Sequence, residues 1–174
     1  MNQEIKLKLK DIRQFYNSFD PAPFRERDLD PKAVEYIVDC VKEHTLKTKI
    51  SLLILVPNEQ LNDELVSSVK SAIKTYFDAE TNIIKRKFKR IIYQGRKAFM
   101  IGIFFLVAAL SFSELINSHF SGFLFRILSE GLFIASWVGL WYPISVFLYD
   151  WWPIVNERKV FEKIRDISVK IKGY

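Results

Sequence analysis

Two stretches at opposite ends of the chain alternate apolar and polar residues with a period of two. In EIKLKLKDI, Ile5, Leu7 and Leu9 alternate with Lys6, Lys8 and Lys10, and in RDISVKIKGY, Ile167, Val169 and Ile171 alternate with Ser168, Lys170 and Lys172. A strand sends successive side chains to opposite faces, so each stretch predicts a half-buried strand. KISLLILVP is different: Ile50 and Leu52 through Val56 are apolar almost without a break. That predicts a strand covered on both faces and therefore central in its sheet.

Between these strands the pattern changes to helical spacing. Asp30 followed by Pro31 is a helix start, and Val34, Ile37, Val38 and Val41 then fall on one face. Pro57 and Asn58 end the central strand, with Asn58 or Asn62 as cap for a second helix. Its apolar positions run from Leu61 and Leu65 to Phe88 with no Pro and no Gly before Gly95. Two uncharged runs follow, Ala98 to Ser113 with apolar character through Ile116, and Gly131 to Tyr149. A helix needs about 17–25 apolar residues to cross a bilayer, which predicts two spans.

The fold class this implies is α+β with a membrane part: a small mixed three-stranded α/β cytoplasmic domain formed by both chain ends, on a two-helix transmembrane hairpin. Residues 1–80 form the first part of the domain, 81–97 a basic membrane-proximal helix and 98–116 the first span. Residues 117–130 form a short amphipathic outer loop, 131–150 the second span, and 151–174 the helix and strand that complete the domain. The outer loop can be helical, with Arg126 and Glu130 spaced to pair, and is expected either to lie along the outer membrane surface or to lengthen the second span. The first two strands are expected to be parallel, joined by a right-handed crossover. The last, entered from a helix climbing away from the membrane, is expected to run antiparallel to the second.

Charge sets the expected orientation. The chain carries a net +6, and Lys85, Arg86, Lys87, Lys89, Arg90, Arg96 and Lys97 precede the first span without an intervening acid, while Arg158, Lys159, Lys163 and Arg165 follow the second. The loop between the spans holds only Arg126 among Lys and Arg. The positive-inside rule places both termini in the cytoplasm of a multi-pass cell-membrane protein. The N-terminal stretch lacks the apolar core and cleavage site of a signal peptide, in keeping with a cytoplasmic start. The seven basic residues before the first span are candidates for binding anionic lipid of the cytoplasmic leaflet. A basic run this close to a span is held against lipid, which argues against nucleic acid as a partner.

Catalytic and cofactor chemistry finds little footing. No phosphate-binding loop, dinucleotide turn or zinc-protease motif occurs. The two histidines, His44 and His119, fall on opposite sides of the expected membrane, and Cys40, the lone cysteine, reads as a core residue. No enzyme activity, cofactor or metal is expected. FDPAPFRERDLD is a candidate partner-binding loop through Asp20, Arg25, Arg27 and Asp28, or else a connector whose charges pair with one another. Gly131, Ala135 and Gly139 are spaced four apart as a helix-packing face on the second span, and Gly102, Ala109 and Ser113 offer one on the first. Such faces join either the two helices of the hairpin, the preferred reading, or neighbouring subunits. Pro143 is expected to kink the second span by deleting the bond to the carbonyl of Gly139. Tyr149, Trp151 and Trp152 form a membrane-interface anchor, with Asp150 free to pair with a nearby Lys or Arg.

FDPAPFRERDLD before the first helix, together with YDWWP and NERKVFEKI after the second span, resembles an uncharacterised family of small bacterial two-span membrane proteins, over nearly the whole chain. The resemblance implies a bacterial cytoplasmic membrane and carries no activity, ligand or functional residue. The expected function is to place a cytoplasmic binding or oligomerisation domain at the membrane as an adaptor, scaffold or accessory subunit. The expected partners are membrane lipid, further copies of the chain, and a membrane or cytoplasmic protein. The alternative is a small homo-oligomeric channel or transport component.

Overall fold

The three alternating or apolar stretches form one sheet. In the computed structural model, which describes residues 2–20, 28–119 and 122–174, strands β1 (Asn2–Lys8), β2 (Lys49–Val56) and β3 (Ser168–Gly173) lie in the order β1-β2-β3. The apolar run is thus the central strand. Both pairings are parallel, with Ile5 beside Leu52 and Leu52 beside Val169, then Leu7 beside Ile54 and Ile54 beside Ile171.

The parallel pairing of β2 with β3 corrects the expected mixed sheet. Helix α2 (Asp63–His119) leaves the end of β2, and helix α4 (Trp151–Arg165) meets it at Phe77 and Asp78. The Phe77 and Phe161 ring centroids are 5.5 Å apart, and Arg165 Nη1 lies 3.5 Å from Asp78 Oδ1. Helix α4 therefore stops level with the beginning of β2. Only Asp166 and Ile167 separate it from β3, which starts opposite Ser51 and ends where the Tyr174 N–H donates to the Val56 carbonyl at 3.1 Å. The expected reversal would have required α4 to pass alongside the sheet before turning. Arg165 is also held by Asp166 at 2.8 Å, and the guanidinium keeps that carboxyl below its ordinary pKa. Its stabilising contribution is therefore present above the usual carboxylate range and is lost as pH falls through the depressed value.

Helix α1 (Pro31–Lys42) begins as its sequence dictates: Asp30 Oδ1 accepts from the backbone N–H groups of Lys32 and Ala33 at 2.9 and 3.2 Å. Asp30→Ala is expected to cost about 1 kcal/mol. A thermal melt matching the wild type would show that the cap contributes nothing. Asn62 does the same for α2, its Oδ1 accepting from the Leu65 N–H at 2.6 Å. The buried faces of α1 (Ala33, Val34, Ile37, Val38, Val41), α2 (Val69, Ile73, Phe77) and α4 (Ile164) form one core with Ile5, Leu9, Leu52, Ile54 and Val56. Cys40 packs at its margin.

All these contacts lie on one side of the sheet, which corrects the expectation that β2 is covered on both. The outward rows read Lys6–Leu53–Lys170 and Lys8–Leu55–Lys172 across the three strands, and the four lysines are exposed. Leu53 is buried without belonging to the core. The flexible stems of flanking lysines can shield a leucine without a covering layer.

The chain divides into two units, Met1–Lys85 with Asn156–Tyr174, and Arg86–Val155. The second consists of the rest of α2 and helix α3 (Phe123–Ser145), followed by one wide π-helical turn at Val146–Asp150 that leads into α4. Residues 123–130, expected to lie along the outer membrane surface or to lengthen the second span, are the first turns of α3 and thus continuous with the apolar run that follows. Their large apolar residues favour helix, and Arg126 Nε meets Glu130 Oε1 at 3.1 Å, the expected pair. Two helices are long and apolar enough to cross a membrane, and only 17% and 22% of their most apolar stretches are buried. Core helices of a water-soluble protein bury most of such a stretch.

Candidate functional site

Helices α2 and α3 pack through a seam with a period of seven. On α2 the buried positions are Gly95, Gly102, Ala109 and Ile116, and on α3 they are Ser129, Ser136 and Pro143, joined by Leu140. Seven residues are two helical turns at 3.5 per turn, so such a set stays on one face. The glycines let the helices approach closely: a Cβ on Gly102 would lie 2.7 Å from Leu140 Cδ2, and one on Gly95 would lie 2.6 Å from Val146 Cγ1, so either would have to displace that side chain. At the other end Ser113 Oγ donates to the Ser129 carbonyl at 3.4 Å. The expected small face of Gly102, Ala109 and Ser113 is therefore used.

The second expected face is not used within the hairpin. Nothing lies within 4 Å of a Cβ built on Gly131 or Gly139, and Ala135 is exposed. The period-seven seam turns these three residues outward. Pro143, grouped with them from the sequence, is buried in the seam. Its missing N–H and bulky ring come just before the helix widens at Val146–Asp150. The Ser145 hydroxyl reaches the Asp150 carboxylate oxygens at 3.2 Å each, so Asp150 is held by its own turn. This local bond takes the place of the pairing with Lys or Arg that the sequence left open to it. Trp151 donates its indole N–H to the Phe147 carbonyl at 2.9 Å, while Tyr149 and Trp152 are exposed.

On α2, Arg86, Lys87, Lys89, Arg90, Arg96 and Lys97 are exposed and Lys85 is half-buried. Among the described residues none of the seven forms an ion pair. Lys97 Nζ lies 4.8 Å from the centroid of the Tyr93 ring. Tyr93, Arg96, Lys97, Met100 and Ile101 line an open groove of about 580 Å³, cationic at one end and apolar at the other.

The FDPAPFRERDLD loop divides. Arg25 and Arg27 lie outside the described residues. Asp20 Oδ2 accepts from the Asp28 backbone N–H at 2.7 Å, and the Asp28 carbonyl accepts from the Asn17 N–H at 2.8 Å. With Tyr16 bridged to Leu29, these bonds close the loop upon itself. Asp20 thus has a structural task that its charge alone did not reveal.

The residues that sequence reasoning passed over are the outward lysines of the sheet. Their alternation was visible, but only strand register shows that Lys6 and Lys170, and Lys8 and Lys172, flank the same leucines. Near the strand starts, Lys49, Ser51, Lys163, Asp166, Ser168 and Lys170 help to line a cleft of about 410 Å³. Burial lowers the Lys163 pKa, and its ammonium donates to the Thr45 carbonyl at 3.0 Å. Among the described residues no group of three or more His, Cys, Asp or Glu is placed to hold a metal.

Compared with protein-family models, curated proteins and solved structures, the chain matches none. Function therefore has to be argued from the residues themselves.

Proposed function

We propose that this is a non-enzymatic two-span protein of the cytoplasmic membrane, with both termini in the cytoplasm, that presents its α/β unit as an adaptor, scaffold or accessory subunit. One observation carries the reading: an α/β unit closed by residues from both chain ends shares its chain with a helix pair whose apolar surface is largely exposed. Phe104, Met100 and Trp141 are exposed by 77, 68 and 68%. Water does not tolerate so large an apolar surface, whereas lipid does. Because β3 belongs to the same sheet as β1 and β2, an even number of crossings returns the chain to the compartment where it began.

The basic residues from Lys85 to Lys97, all but Lys85 exposed and none in an ion pair among the described residues, suit anionic headgroups, and the groove at Tyr93 and Lys97 suits a headgroup above an acyl chain. The outward-facing Gly131, Ala135 and Gly139 suit contact with a second copy. A conducting path is less well supported. Of the buried serines of the seam, Ser136 donates its hydroxyl to the Leu132 carbonyl at 2.7 Å and so is satisfied within its own helix.

Labelling of intact cells tests the topology. In a Cys40→Ser background, Ser118→Cys is expected to react with a membrane-impermeant maleimide from outside, whereas native Cys40 reacts only after lysis. Extraction of the protein by alkaline carbonate, or labelling of Cys40 from outside, would exclude the reading. Replacing all seven basic residues from Lys85 to Lys97 by Gln is expected to give a population of inverted molecules, seen as partial external labelling of Cys40.

A further inference from the structure

We infer that the outward face of the sheet is the docking site for an acidic amphipathic helix of a partner protein, an inference that rests on the adaptor reading and supplies its binding surface. Parallel sheets are almost always covered on both faces. Here α1, α2 and α4 cover one, and among the described residues no core-forming helix packs on the other.

The open face has a defined pattern. Leu53, shielded by the lysine stems that a partner would displace, and half-buried Leu55 form an apolar stripe along the central strand, flanked by Lys6 and Lys8 on β1 and by Lys170 and Lys172 on β3. Strands lie about 4.8 Å apart, so the two lysine rows are roughly 10 Å apart, close to the diameter of an α-helix. Leu53 and Leu55 are separated by about 6.6 Å along the strand, near the 5.4 Å of one helical turn. A helix lying along β2 would set apolar residues one turn apart on the leucines and carboxylates on either flank against the lysines. The carboxylates near this face are Glu4, in the row with Ser51 and Ser168, one row removed from the leucines, and Asp166, which lines the cleft with Ser51, Ser168 and Lys170.

Charge complementarity selects this occupant. A second copy would bring lysine rows against lysine rows, which costs binding energy. An anionic membrane would satisfy the lysines but leave the leucine stripe, set down between them, without an apolar partner. A nucleic acid would want exposed aromatic rings among the lysines. Tyr174 beside them is exposed but already lies under Lys8, whose Nζ is 4.0 Å from its centroid, and its hydroxyl donates to the Leu9 carbonyl at 3.2 Å, while the exposed Tyr36 donates its hydroxyl to the Lys6 carbonyl at 3.4 Å.

The test is photo-crosslinking of the full chain in its own cells, with p-benzoylphenylalanine replacing Leu55 and, separately, Ser51, and with the crosslinked peptide sequenced. The expected adduct joins the face to a segment with apolar residues at helical spacing and Asp or Glu on both flanks. Combined Lys6→Glu, Lys8→Glu, Lys170→Glu and Lys172→Glu should reduce it at least about tenfold, while the four Lys→Arg changes should retain it. Equal melting temperatures of both variants and the wild type exclude misfolding as the cause. An adduct to lipid, to a nucleotide, to a second copy or to a segment without acidic flanks would overturn the inference, as would an adduct indifferent to charge reversal or no adduct from either position. Cys40 labelling of the same cells separates the two claims. A correctly oriented chain without the adduct refutes the docking site alone, whereas external labelling refutes the adaptor reading.

Discussion

A chain ending at Ile167 is expected to lose the folded α/β unit. The deletion strips β3 from β2 along six registered pairs, from Ser51 with Ser168 to Val56 with Gly173, and removes Val169 and Ile171 from the margin of the core. It also leaves the strand that carries Leu52, Ile54 and Val56 as a naked edge. A domain of this size is stable by about 5–15 kcal/mol. Loss of a strand removes enough of that for the remainder to melt without a cooperative transition. The single-residue counterpart is Ile164→Ala: Ile164 is fully buried where α4 delivers the chain to β3, and the change should cost about 2–5 kcal/mol. Limited proteolysis and a thermal melt of the detergent-solubilised protein measure both. Cleavage within β2 is expected after the deletion and not in the intact chain. Unchanged protease resistance would mean that β3 is an appendage and that the core stands without it.

The second large effect is expected from Gly102→Leu. A Cβ there already falls 2.7 Å from Leu140 Cδ2 and 3.4 Å from its Cγ. Alanine asks only that the flexible end of Leu140 give way, but leucine has to push the helices apart. Between apolar helices in lipid the attraction is mainly van der Waals contact, so a lost close approach has little to replace it. A cost of about 1–3 kcal/mol follows from overpacking. It is read as a roughly tenfold or greater fall in disulfide formation between Ser113→Cys and Ser129→Cys in a Cys40→Ser background. Gly139→Leu is the control, because nothing lies within 4 Å of a Cβ at Gly139. It should leave that disulfide unchanged. If the two substitutions act alike, the period-seven seam is not what holds the hairpin.

What the sequence revealed, and what it concealed, follows the reach of each interaction. Asp30 caps its helix through N–H groups two and three residues away, so the cap was legible. The strands, the central place of β2 and the Arg126–Glu130 pair were legible for the same reason: period and spacing are local. The direction of β3 was not. It depends on where α4 stops against the sheet, and the contacts that decide this join Phe161 to Phe77 and Arg165 to Asp78, groups far apart in the chain. The hairpin face of α3 was not picked out because a spacing of four among Gly131, Ala135 and Gly139 is conspicuous, whereas the seam runs through Ser129, Ser136, Leu140 and Pro143 at spacings of seven, four and three. The lysines of the open face escaped notice because alternation assigns a residue to a side of its own strand. It does not say which residues of other strands stand beside it. Of the candidate loop, Asp20 and Asp28 proved to be bonded to each other's segment, a geometry that composition alone does not distinguish from a charged recognition surface.

The pairing of β2 with β3 also imposes an order of events during synthesis. Strand β2 is made early, but its neighbour on one side emerges from the ribosome only after α2, α3 and α4 have been translated. Until then the nascent chain carries an incomplete sheet with a long-range pairing still to form, the slow and aggregation-exposed kind. Completion of the α/β unit is thereby tied to the fate of both apolar helices. A chain stalled or misrouted at either one keeps β2 open, a mark by which quality-control proteases could distinguish failed molecules from finished ones.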